Sequence, residues 1–160
     1  VVETDIFTET VNLCTVTQLK EFPIAAERTA EILNWRFKQA PGRDYKILQA
    51  YQGDAVCGYV VVRKMKMKNF DALALVDVLF GDKAVGDALL YAVSRYAYRN
   101  GAELISCMLS DRSSMQASLK RNFYLKTPEQ FTLIASEPNK SKPFWHDQYW
   151  HITWFDHDFV

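Results

Sequence analysis

Between residues 72 and 80 the chain reads ALALVDVLF, an almost unbroken apolar run with one charge, Asp77. A strand with one wet face alternates apolar and polar residues; one that does not alternate is covered on both faces, so this run predicts a central strand. A few residues on, Val85, Ala88, Leu89, Ala92, Val93, Tyr96 and Ala97 recur at intervals of three and four, the spacing of one helix face, and Asn100-Gly101 closes the pattern. ELISCML (103–109) returns to strand composition. A strand, helix and strand of these lengths make a right-handed crossover, which leaves the two strands parallel and adjacent.

Upstream, YKILQAY (45–51) and AVCGYVVVRKMK (55–66) are β-rich and separated by Gln52-Gly53-Asp54, a hairpin signal. Ala26, Ala30, Leu33 and Phe37 form a helical stripe that starts near Pro23 and stops at Pro41-Gly42. Residues 5–16 mix Ile6, Phe7, Val11, Leu13 and Val16 with threonines, which predicts a strand. Downstream, Asp111 is placed to cap a short helix running through Leu119. FYLKTPEQFTLIAS (123–136), a lysine, proline and serine loop (137–143) and the alternating YWHITWF (149–155) predict closing strands. The order gives an α+β class: a mixed sheet, mostly antiparallel, with a central parallel pair joined by a crossover helix and helices on both faces. Neither an internal repeat nor a linker divides it, so residues 1–160 are expected to form a single domain.

Composition narrows the partners. Nineteen basic against nineteen acidic residues leave no net charge, which removes the usual electrostatic argument for nucleic acid or a membrane surface and points to a small molecule. No apolar run approaches the roughly 20 residues of a membrane span. Three cysteines, Cys14, Cys57 and Cys107, are odd in number and far apart, as expected for a reducing cytoplasm. The chain opens with Val1-Val2 rather than methionine, so it is expected to be a piece of something longer.

Two places carry candidate chemistry. The segment Lys83-Ala84-Val85-Gly86-Asp87-Ala88 opens the long helix. Unpaired amides at a helix start, together with its dipole, bind phosphate oxygens, and glycine allows close approach; the other reading is an ordinary turn. Asp77, among Leu75, Val76, Val78 and Leu79, is either a base with a raised pKa or a buried carboxylate paired with a lysine or arginine.

The element order and these landmarks resemble the GNAT superfamily of N-acyltransferases, which use acyl-coenzyme A. In that family the strand before the crossover helix runs into a loop of the form Gln/Arg-x-x-Gly-x-Gly/Ala, matched here by Lys83 to Ala88. LNWRF (33–37), PGRDYKIL (41–48), GYVVVR (58–63) and the strand ending in Asp-Val-Leu resemble a longer, tandem-type subgroup, whose members carry a second GNAT-like half upstream. The resemblance implies acetyl-CoA or another acyl-CoA as co-substrate, a small-molecule amine acceptor, and a second GNAT-like domain or a homodimer as partner. It also implies that backbone groups of Val78, Leu79 and Phe80 hold the pantetheine arm, that Asp77 is the base, and that Ser118 stands where many members place a tyrosine that protonates the leaving thiolate. Serine is a poor acid, which leaves solvent, Tyr124 or no group for that step.

Other groups read as structure. RKMKMK (63–68) fits an edge-protecting face better than a phosphate site. His146, His151 and His157 with Asp147, Asp156 and Asp158 match no zinc spacing, so no metal is expected. Cys57 and Cys107 lie in apolar strands as small core residues. Trp145, Tyr149, Trp150, Trp154 and Phe155 suit a core, with some available to line an acceptor cleft. Two functions remain open: an acyl-CoA-dependent N-acyltransferase acting by direct attack, or a GNAT-like binding or structural domain without turnover.

Overall fold

A computed structural model describes residues 1–39, 41–110, 115–128 and 150–156. β1 (Val2–Thr4), β3 (Tyr45–Gln52), β4 (Ala55–Met67), β5 (Phe70–Phe80) and β6 (Leu104–Cys107) form one sheet in the order β1-β3-β4-β5-β6. Every pair in it is antiparallel except β5 with β6, which α3 (Lys83–Arg99) joins as a crossover. This is the mixed α+β architecture that the pattern predicts. A second, two-stranded sheet pairs β2 (Ile24–Ala25) with β7 (Trp150–His151) in parallel.

The register sorts side chains onto two faces. Tyr45, Ile47 and Gln49 of β3 lie opposite Arg63, Val61 and Tyr59 of β4. Over this face pack α1 (Thr10–Leu19) and α2 (Ala30–Lys38), with the segment leading into α1 setting Phe7 edge-on to Tyr59 at 5.1 Å and α2 setting Phe37 edge-on to Tyr45 at 5.0 Å. The opposite face, with Leu48, Val60, Val78 and Phe80, receives α3 through the buried Leu89, Leu90 and Val93. Each leucine buried this way contributes about 1.5–3 kcal/mol, which is why the strongest amphipathic stripe in the sequence becomes the helix that closes the sheet.

Three expectations fail locally. Residues 5–16 are not a strand: from Thr10 the chain is helical, because Val11, Cys14 and Thr15 bury at helical spacing. The helix expected from Pro23 begins at Ala30 instead, capped by Thr29, whose hydroxyl accepts from the Ile32 amide, while Ile24 and Ala25 go to β2. YWHITWF contributes only Trp150 and His151 to a strand and then turns into a 3-10 turn at Trp154–Asp156, outside the main sheet. The cap at Asp111, most of 123–136, the loop 137–143, and Trp145, His146, Asp147, Tyr149, His157 and Asp158 lie outside the described residues.

Candidate functional site

At one point of its pairing with β4, β5 carries an extra residue. Val62 pairs with Leu75 and Val61 with Asp77, so Val76 is an inserted residue, a β-bulge. Two residues apart on a regular strand share a face; across the bulge Leu75 faces α3 whereas Asp77 joins Tyr59 and Val61 on the face covered by α1 and α2. There its carboxylate is fully buried and bound on both oxygens. Arg28 Nε lies 3.1 Å from Oδ2, the Tyr59 hydroxyl donates to Oδ2 at 2.8 Å, and the Thr153 hydroxyl donates to Oδ1 at 2.7 Å. Arg28 also donates to Asp156 Oδ2 at 3.0 Å and to the Ala26 carbonyl at 2.9 Å, with Phe155 beneath it at 4.5 Å.

Burial alone would raise the Asp77 pKa, but the Arg28 guanidinium and the hydrogen bonds outweigh it and hold the carboxyl below its usual range. The sequence offered a base or a paired core carboxylate, and the geometry is that of the pair: no lone pair is free and the proton affinity is low. Asp156 differs. Burial raises its pKa, its side chain keeps 18% of its surface in solvent, and it shares Arg28 with Asp77. His151 lies in the same cluster, buried, with neither ring nitrogen finding a hydrogen-bond partner among the described residues; burial and then Arg28 push its pKa down to about 4.

Past the bulge, the two parallel strands part. β6 pairs with β5 only from Ala72↔Leu104 to Leu75↔Cys107, so from Val76 to Phe80 the strand has β4 on one side and, among the described residues, no strand on the other. Val78, Leu79 and Phe80, expected to hold a thioester arm, all lie on this stretch. Cys107 marks the parting, its thiol pushed up to about 12 by burial and by Asp77. Beside it is Tyr124, whose phenol is buried without a hydrogen-bond partner among the described residues and is raised in pKa by burial and then by Cys107.

At the start of α3 the chain supplies its own anion. Asp82 is the N-cap, and its Oδ1 accepts from the amides of Ala84 at 2.7 Å and Val85 at 3.2 Å, while the Gly86 amide is already bonded to the Asp82 carbonyl. Of the predicted cradle, the Lys83 amide and side chain remain for a phosphate. Gly86 has a packing role: a Cβ there would stand 2.4 Å from the Phe80 ring. Asp87, one turn in, is bonded by Arg121 at 3.0 Å and by Asn122 at 3.0 Å, which clamps α3 to the end of α4 (Gln116–Arg121). Ala88 follows on the same turn of α3.

Ser118, expected at the acid position, is buried and accepts from Arg121 at 3.0 Å. After α4 the backbone turns left-handed at Phe123, with φ 64°.

The structure thus brings Asp77 and the 78–80 edge together, sets the Lys83–Ala88 turn against Phe80, and leaves Ser118 in the α3–α4 clamp. Sequence reading missed Arg28, Tyr59 and Thr153 and weighed His151 only as a metal ligand; a dipole-compatible N-cap was the one visible signal for Asp82. The three cysteines are free thiols, and no helix among the described residues is long and apolar enough to cross a membrane.

No family model matches the sequence, and no curated protein matches it. Solved structures do match. A structure described as a probable acetyltransferase is 14% identical, over 85% of this chain and 97% of its own, with a TM-score of 0.60. A GNAT family acetyltransferase of Staphylococcus aureus is 18% identical over 84% and 98%, TM-score 0.54. An aminoglycoside acetyltransferase from an uncultured soil metagenomic sample, in complex with sisomicin, is 12% identical over 82% and 86%, TM-score 0.53.

Proposed function

We propose, from the premise that this chain has the GNAT fold, that it binds an acyl-coenzyme A and passes the acyl group to a small amine by direct attack. The observation behind this reading is the edge of β5 from Val76 to Phe80, paired with β4 on one side only among the described residues. Main-chain groups of Val78, Leu79 and Phe80 that point away from β4 would bond the pantetheine arm as an added strand. An amide just past the bulge would polarise the thioester oxygen, a contribution of about 3 kcal/mol in acyl transfer. Lys83, with Ala84, Val85, Gly86, Asp87 and Ala88 in the turns behind it, would face the phosphates, with the Asp82 carboxylate yielding the amides it holds.

In the reaction the amine nitrogen bonds the thioester carbon, the C–S bond breaks, the amine gives up a proton and the thiolate takes one. Asp77 has no free lone pair for the first proton; Asp156, with its raised pKa and partly exposed carboxylate, has the character of a base. The second comes to the thiolate from solvent, since burial at the parting of β5 and β6 makes the Tyr124 phenol a weaker acid than a free one. The sisomicin complex of the aminoglycoside enzyme supports a small-molecule acceptor. A titration calorimetry experiment with acetyl-CoA, against free coenzyme A and adenosine, tests the reading: saturable binding that needs the phosphate-bearing part is expected, followed by acyl transfer in an amine survey. No binding at millimolar acetyl-CoA overturns it.

A second reading, a GNAT-like binding or structural domain without turnover, is favoured by the Asp82 carboxylate already seated on the helix start. Coenzyme A binding without transfer to any amine is its outcome.

A further inference from the structure

α4 ends in two bonds, from the Phe123 amide to the Lys120 carbonyl at 3.2 Å and from the Tyr124 amide to the Leu119 carbonyl at 3.1 Å. This is the Schellman arrangement, in which the residue after the cap turns left-handed and is usually glycine. Here it is phenylalanine, with φ 64° and 90% of its surface exposed. The other non-glycine residue with positive φ among the described ones, Lys68, sits in the hairpin turn between β4 and β5, where a turn can demand it. At Phe123 the cap demands the conformation but not the residue: a Cβ is unfavourable there, and an exposed ring gains nothing from burial.

What the position offers is a place. Asn122 and Arg121 both bond Asp87, so the ring is carried on the turn clamped to the first turns of α3, beside the phosphate end of the proposed site. We propose that Phe123 is a stacking platform for the purine ring at the nucleotide end of the acyl-coenzyme A; this inference rests on the reading of the co-substrate given above. Strain kept in an exposed residue beside a binding site is the usual mark of a function that the conformation serves. A flat ring held clear of the fold stacks on a base without needing hydrogen-bond readout.

The test is calorimetry and thermal unfolding of Phe123→Gly and of Phe123→Asn, a residue that tolerates the left-handed region without glycine's flexibility. Both variants are expected to unfold at a higher temperature than the parent, and both to bind coenzyme A about tenfold more weakly. Affinity for 4′-phosphopantetheine, which lacks the adenosine, is expected to stay the same. A parent chain that binds coenzyme A and variants that bind it equally well would overturn the platform and leave the acyl-CoA reading standing. Weakened binding of phosphopantetheine and coenzyme A alike would overturn the platform as well. A parent chain that binds neither ligand defeats both proposals together.

Discussion

The guanidinium of Arg28 reaches Asp77, 49 residues away in sequence, with its Nε 3.1 Å from Oδ2 and both side chains closed to solvent. The pair links three segments: the connection between α1 and α2, the bulge of β5, and the 3-10 turn that supplies Asp156. Removing one partner of a buried pair leaves an uncompensated charge, which typically costs about 3–5 kcal/mol. Asp77→Asn is therefore expected to lower stability by roughly 3 kcal/mol in urea unfolding. Adding Arg28→Met should recover part of the loss, since two apolar or neutral groups need no mutual compensation. A variant Asp77→Asn with full stability and only a slower reaction would return Asp77 to the role of base.

His151 sets a pH dependence. Its folded-state pKa, about 4, lies below the ordinary 6.5, so the unfolded chain takes up the proton first. Stability is then fully present above pH 6.5 and is lost as pH falls toward 4, by roughly 3 kcal/mol over that window. His151→Leu, which removes both unpartnered nitrogens at similar volume, should flatten the curve between those pH values and raise stability at neutral pH by about 1 kcal/mol. Denaturation curves at four or five pH values read both effects; an unchanged slope would mean the imidazole finds solvent.

Asp82 gives a prediction of opposite signs. Losing an N-cap side chain costs about 1 kcal/mol, so Asp82→Ala should lower the melting temperature. If the start of α3 is the phosphate site, the same substitution frees the amides of Ala84 and Val85 and removes a like charge, and coenzyme A should bind more tightly. Equal or weaker binding by a folded Asp82→Ala chain would assign the turn to capping alone.

Gly86→Ala sets two effects against each other. Glycine to alanine inside a helix gains up to about 1 kcal/mol in propensity, whereas forcing a methyl against a packed ring costs about 1–3 kcal/mol. With the added Cβ only 2.4 Å from the Phe80 ring, packing should win and the variant should be less stable. Phe80→Leu in the same chain should relieve it, as thermal unfolding of the single and double variants would show.

How far the sequence spoke depended on the range of the interaction. α3, the β3–β4 hairpin and the covered strand β5 are set by periodicity and turns within about 20 residues, and they stand where the pattern puts them. α1 was read as a strand because threonine and valine favour strands locally; the burial of Val11, Cys14 and Thr15 on a tertiary contact surface overrode that preference. In the candidate site, the strand that carries Val78, Leu79 and Phe80 was legible, whereas Asp77's partner was not, since nothing near it in sequence marks Arg28. The bulge was hidden for a different reason: a run of apolar residues has no alternation whose phase could be seen to slip.

The inserted residue can also be counted from the standpoint of economy in the chain. Without Val76, Leu75 and Asp77 would be neighbours on a regular ladder opposite Val62 and Val61, facing the same two sides that they face now. Val76 is buried in the core yet has no partner in the ladder with β4, so what the extra residue changes is the other margin of the strand, where β6 has already departed. One amino acid that the ladder does not pair shapes an edge that, among the described residues, has no strand beside it.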